Sequence, residues 1–256
     1  MPQTRSMTTI PAVLVGGPTL YFTYGGYGFL TDPTFDEPGV YEGASRLRKL
    51  TGPAVRPSAL GPIDVVLLSH DEHADNLDNA GRALLPEVPL VLGTAESATR
   101  IPQVAGLVPW QEHRIGDVTV TAVPALHGPE GAEAVVGFVT GFVLEAPGEP
   151  TVYVSGDNAS VDLVRRIGER FPAIAIAVLF TGAANVGAFD DTDLTLNART
   201  ALEAAGVLAD AVIVPVHAEG WLHFSETLDR LIGIFEHADQ GHRLRVLTPG
   251  ERSDLA

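Results

Sequence analysis

Apolar residues along this chain fall into short continuous runs divided by turn-forming residues. The runs "AVLV" (12–15), "TLYFTY" (19–24) and "YGFLTD" (27–32) are rich in β-formers and punctuated by Gly16-Gly17, Gly25-Gly26 and the Asp32-Pro33 step. This pattern predicts strands joined by tight turns. Residues 33–61, broken by repeated prolines, read as an irregular excursion over the surface. "IDVVLLS" (63–69) then resumes as a strand with almost no polar alternation, as expected where both faces are covered.

Beyond residue 88 strands and helices alternate. "PLVLG" (89–93) reads as a strand and "TAESATRI" (94–101) as a short helix capped by Thr94. "VTVTAVPALHG" (118–128), entered through a turn at Gly116-Asp117, "VVGFVTGFVLEA" (135–146) and "TVYVSGDN" (151–158) read as strands. In "SVDLVRRIGERF" (160–171) Val161, Val164, Ile167 and Phe171 share one helical face, and Pro172 stops the helix. "AIAIAVLF" (173–180) and "AVIVPVH" (211–217) are buried strands. Between them "TLNARTALEAAG" (195–206) is a helix closed by Gly206 at its C′ position. "SETLDRLIGIFEH" (225–237) is the last helix, with Ser225 as cap and Leu228, Leu231, Ile232 and Phe235 on its core face. No composition break marks a linker and no repeat is evident. The expectation is one α/β domain over 1–256, with mixed sheets covered by helices.

Charge and composition narrow the chemistry. The formal net charge is −16, and Lys49 is the sole lysine. Nucleic acid and anionic bilayers need clustered basic side chains, so neither is an expected partner. Cysteine is absent, which removes disulfides, thiolate metal sites and cysteine nucleophiles. Any metal must be held by nitrogen and oxygen. The N-terminal apolar run is too short for a signal sequence or membrane span, so a cytoplasmic protein without membrane insertion is expected. No G-x-S-x-G elbow, P-loop or dinucleotide fingerprint occurs.

Four polar groups sit at or just past predicted strand ends: Ser69-His70-Asp71-Glu72-His73-Ala74-Asp75-Asn76, then His127, Asp157 and His217. Loops at one rim of a sheet converge, and histidines and carboxylates gathered from several loops match an open catalytic metal site. His113, His237 and His242 read as ordinary surface histidines, with His237 favourably placed at a helix C-terminus. Trp221 and His223, close behind His217, are placed to line the same pocket, with His223 contacting an oxyanion or giving a proton to a leaving group. Asp32 is expected to fix its turn and support the ligands from behind.

The order of these groups, with "LLSHDEHADNLD", "FLTDPTFD" and "VYVSGDN", resembles the metallo-β-lactamase superfamily and its H-x-H-x-D-H signature, in the branch of ascorbate-6-phosphate lactonase and N-acyl phosphatidylethanolamine phospholipase D relatives. The resemblance runs from about Val13 to Glu251. It implies an αββα four-layer sandwich with two β-sheets face to face. It also implies that His70, His73 and His127 hold one divalent metal, Asp75 and His217 a second, and Asp157 both. Zinc is the implied metal, with manganese or magnesium as options at a weakened second site. A metal-activated water would then attack an ester, lactone or phosphodiester, with Asp75 orienting it and taking its proton.

Two departures stand out. Asp71 and Glu72 both intervene between the first two histidines, giving H-x-x-H-x-D-N, so either the turn bulges and His70 is the ligand, or Asp71 takes its place. Asn76 stands where the family has a histidine, and an amide oxygen is a poor substitute for imidazole toward zinc. The alternatives to a small-molecule hydrolase are a binding protein that kept the fold without turnover and a metal-dependent enzyme of the same fold that does not hydrolyse. A homo-oligomer is compatible with all three.

Overall fold

The computed structural model describes residues 9–42 and 46–255. In chain order its strands are β1 (Pro11–Gly16), β2 (Thr19–Tyr24), β3 (Tyr27–Thr31), β4 (Gly39–Tyr41), β5 (Leu47–Lys49), β6 (Val65–Leu67), β7 (Leu90–Thr94), β8 (Val104–Leu107), β9 (Glu112–Ile115), β10 (Val118–Pro124), β11 (Thr140–Glu145), β12 (Thr151–Val154), β13 (Ile174–Phe180), β14 (Val212–Val216) and β15 (Arg252–Asp254). The helices are α1 (Asn79–Leu84), α2 (Ala95–Arg100), α3 (Glu133–Val136), α4 (Val161–Arg170), α5 (Ala198–Val207) and α6 (Leu228–His237). None is long and apolar enough to cross a membrane.

Two large sheets form, in the orders β15-β1-β2-β3-β6-β7-β8 and β14-β13-β12-β11-β10-β9, while β4 and β5 pair as a separate hairpin. The continuous apolar runs follow from period-2 geometry in strands buried on both sides. Val65 and Leu67 of β6 face the core between the sheets, together with Phe22, Phe29, Phe142, Val178 and Phe180. Their neighbours Val66 and Leu68 face outward, where Ile101 and the partly buried Ala98 cover them. On the other side Ala177 and Leu179 of β13 face Val164, Ile167, Ala201, Ala204, Leu231 and Phe235 of α4, α5 and α6. The result is the expected αββα sandwich.

Strands β3, β6, β7 and β8 run parallel, as do β12, β13 and β14. Parallel strands discharge their C-terminal ends at one rim, the usual place for a ligand in such sheets. His70 follows β6, Asp157 follows β12 and His217 follows β14.

Several boundaries differ from the sequence pattern. Residues 135–139 are not strand: α3 closes with the Gly137 N–H on the Glu133 carbonyl, Gly137 takes φ +88°, and β11 starts only at Thr140. The final turn of α5 includes Gly206, and Ala209 takes the left-handed conformation at φ +50° instead. Thr227, not Ser225, caps α6, and Asn197 caps α5. On α6 Ile234 packs on the core in place of Ile232. The excursion at 33–61 contains the β4–β5 hairpin, and His113, expected in a loop, is half-buried in β9.

Candidate metal centre

The strand-end histidines and acids meet in two adjoining clusters. His70, His73 and His127 form one, and Asp75, Asp157 and His217 the other, with the donor atoms of each within 4.8 Å of one another. In the first, ring centroids lie 4.9–5.3 Å apart. His73 Nδ1 is 3.0 Å from His70 Nε2 and 3.3 Å from His127 Nε2. His127 is fixed from behind, because its Nδ1–H donates to the Leu194 carbonyl at 2.8 Å and leaves the Nε2 lone pair facing the cluster. Three imidazoles aimed at one point are poor partners for each other and good partners for a cation.

The added residue in the H-x-x-H spacing is accommodated by turning Asp71 away. Its carboxylate takes a forked pair from Arg100 at 2.5 and 3.0 Å, with Arg82 at 3.7 Å. Arg100 also reaches Glu72. Asp71 therefore lies outside the cluster, and His70 stands in it.

In the second cluster Asp75 Oδ2 meets two imidazoles, His217 Nε2 at 3.1 Å and His223 Nε2 at 2.9 Å. Asp157 lies between the clusters, with Oδ2 3.6 Å from His127 Nε2 and Oδ1 3.7 Å from His217 Nε2. The "SGD" turn that carries it requires glycine. Gly156 has φ +59°, and a Cβ there would meet the Thr140 carbonyl oxygen at 2.6 Å and Ser69 Cβ at 2.9 Å. That close approach brings Asp157 against the His70 loop.

Asp75, Asp157, His70 and His217 are all buried. Burial pushes Asp75 up, but His223 and His217 outweigh it and hold the carboxyl well below its ordinary range. Asp157 is likewise held low against its burial, by His217 and His127. His217 is raised, its burial overcome by Asp157 and Asp75. His70 goes the other way, to about 3, through burial and then His73. Asp75 Oδ1, Asp157 Oδ2 and the Nδ1 atoms of His217 and His223 are buried without a hydrogen-bond partner. Buried polar atoms are nearly always paired, so orphaned carboxylate oxygens beside three converging imidazoles fit a divalent cation in each cluster.

Asn76 is fully buried, and its amide donates to Asp157 Oδ1 at 3.0 Å, Asp32 Oδ2 at 3.2 Å and Ser69 Oγ at 3.4 Å. It separates two carboxylates. Asp32, which takes the Ser69 N–H at 2.6 Å, is raised to about 7 by burial. Asn76→Asp would replace those donors with a third acid. A third carboxylate beside Asp157 and Asp32 is disfavoured once ionised, so the cost of the lost donors is present at any pH and grows as pH increases. Metal-free protein carrying it is expected to lose about 3 kcal/mol at pH 8 and less at pH 5. Equal thermal shifts at both pH values would contradict this role for Asn76.

The cleft over the clusters is lined by His73, Asp75, His127 and His223 and by Leu47, Val136, Ala184, Val186 and Leu194. Its free volume is about 20 Å³, room for little more than one water. His223 lies in the cleft wall as expected. Trp221 does not: it is buried under the β4–β5 hairpin, 5.5 Å from the Tyr41 ring and 5.5 Å from Lys49 Nζ. The pairing of Lys49 with Trp221 as a β-bridge pulls it off the cleft. The walls Leu47, Val136 and Leu194 escaped the sequence reading, since a lone aliphatic carries no chemical signal. Lys49 escaped it too, although being the only lysine was a clue.

The chain is similar to several known proteins. A protein named a metal-dependent hydrolase from Pyrococcus abyssi is 24% identical over 209 residues, spanning 78% of this chain and 85% of its own length. Two solved structures share the fold. Isothiocyanate hydrolase from Delia radicum gut bacteria superposes with a TM-score of 0.84 at 24% identity, over 96% of this chain and 99% of that one. A metallo hydrolase from the archaeon Ignicoccus hospitalis gives 0.72 at 19% identity, over 97% and 99%. The family model described as "Beta-lactamase superfamily domain" matches residues 27–218, three quarters of the chain. With the sandwich and the rim clusters in place, the chain belongs to the metallo-β-lactamase superfamily.

Proposed function

We propose that this chain is a metal-dependent hydrolase acting on an ester, lactone or phosphodiester, or on the electrophilic carbon of an isothiocyanate, the compound class named for one structural neighbour. His70, His73 and His127 would hold one divalent cation and Asp75, Asp157 and His217 the other. The observation that carries this reading is Asp157, which directs one oxygen to each cluster and has its buried Oδ2 without a hydrogen bond. Three imidazoles suit zinc, whereas two carboxylates and one imidazole also suit a harder ion such as manganese or magnesium. When bound, the cations supply Lewis acidity and bring a water's pKa down to about 7.

The chain's own residues do the rest. Asp75 keeps its carboxylate ionised between two imidazoles and is placed to accept the proton of the attacking water. His223, held by Asp75 at the cleft wall, is placed to return a proton to the leaving atom. Asn76 and Asp32 keep Asp157 in position. Leu47 and Val136 keep bulk water out.

Purified protein is expected to carry about two equivalents of metal and to hydrolyse members of a lactone, ester, thioester and phosphodiester panel, with turnover lost to chelator and restored by zinc or manganese. One equivalent or fewer, without turnover across the panel, favours the binding-protein reading, which the amide at position 76 would explain. Two equivalents without hydrolysis favours a different reaction at the same centre.

A further inference from the structure

We infer that the substrate of this site is electrically neutral and presents an apolar group to the cleft, so that uncharged esters and lactones fit it and phosphodiesters do not. This rests on the hydrolase reading above. The cleft has two kinds of lining. One side is the metal-cluster residues His73, Asp75, His127 and His223, and everything else is aliphatic: Leu47, Val136, Ala184, Val186 and Leu194. Among the described residues, no lysine or arginine lines it.

Lys49 and the arginines beside the His70–Asn76 turn are committed to acids outside the cleft lining. Lys49 is 4% exposed, with its Nζ on Asp78 Oδ2 at 2.9 Å. Arg82 and Arg100 face Asp71, and Arg100 also takes Glu72. A phosphodiester keeps a full negative charge along its reaction path, and oxygens not held by metal would lie against leucine and valine, where a charge loses its hydration without a partner. The net charge of −16 repels such an anion on approach. An uncharged acyl compound meets neither obstacle, and its alkyl or aryl part gains by leaving water at the same wall.

Size is set by two residues. The free space is about 20 Å³, so a substituent must displace one of the aliphatic wall residues, Leu47 and Val136 among them. Both sit on short pieces outside the two large sheets, Leu47 on the β4–β5 hairpin and Val136 on the four-residue α3. They are therefore the specificity-determining positions.

The test uses metal-loaded full-length protein with p-nitrophenyl acetate, butyrate and hexanoate, bis(p-nitrophenyl) phosphate, and calorimetric titration of alkyl hydroxamates and dimethyl phosphate. The neutral esters are expected to exceed the phosphodiester in kcat/KM by about a hundredfold. Leu47→Ala and Val136→Ala should each shift preference toward the longer acyl chain by about tenfold, with metal content unchanged. Hydroxamate affinity should rise with chain length and exceed that of dimethyl phosphate. Phosphodiester turnover equal to or above that of the esters, or tighter binding of dimethyl phosphate, would overturn the inference. If no substrate is turned over, the hydrolase reading fails separately, and the binding ranking still decides the chemistry of the wall.

Discussion

His73→Ala is expected to empty the three-imidazole cluster and to lower kcat/KM by more than the roughly 100-fold typical of losing a group that merely supports a metal ligand. His73 is the residue to change because its Nδ1 lies 3.0 Å from His70 Nε2 and 3.3 Å from His127 Nε2, so its loss opens the triangle on two sides. Elemental analysis should find about one equivalent of metal fewer. Asp71→Asn is the control. It lies two residues from His73, yet its carboxylate belongs to Arg100 and Arg82, so metal content should hold. A His73→Ala protein that keeps both equivalents, or an Asp71→Asn protein that loses one, would place the ligands elsewhere.

Lys49→Met should destabilise the protein by about 3–5 kcal/mol, because it leaves the buried Asp78 side chain without its cationic partner. For a chain of this size that is a fall of roughly 6–20 °C in melting temperature. Lys49 joins three parts of the site: its ammonium meets Asp78 and lies over the Trp221 ring, and its strand carries Leu47 into the cleft. Asp78 also accepts the Phe35, Asp36 and Gly81 N–H groups and caps α1 just after the His70–Asn76 turn. Arg46→Met, which removes the exposed pair with Glu42, should leave the melting temperature unchanged. Similar melting curves for the two variants would mean that the buried pair contributes no more than the exposed one.

What the sequence made legible was whatever rests on local pattern plus chemical type. The two-sided strands β6, β13 and β14 announced themselves as unbroken apolar runs, and the clusters stood out because imidazoles and carboxylates are costly at strand ends without a use. Elements of three or four residues stayed hidden. The β4–β5 hairpin is too short for periodicity to register, and α3 is rich in β-branched valine, so 135–139 reads as strand until Gly137 takes positive φ. Long-range partners stayed hidden too. Asn76 could be seen to lack an imidazole, but its work as a donor between Asp157 and Asp32 depends on contacts 81 and 44 residues away. Trp221 looked like a pocket residue from its nearness to His217, and only pairing with Lys49 explains why it is not.

The most direct test of the two-cation centre is anomalous diffraction from a crystal of the zinc- or manganese-loaded protein, recorded at the metal edge. Two peaks are expected, one amid His70, His73 and His127 and the other amid Asp75, Asp157 and His217, with Asp157 touching both. Peaks elsewhere, or neither cluster holding metal at saturating concentration, would contradict it.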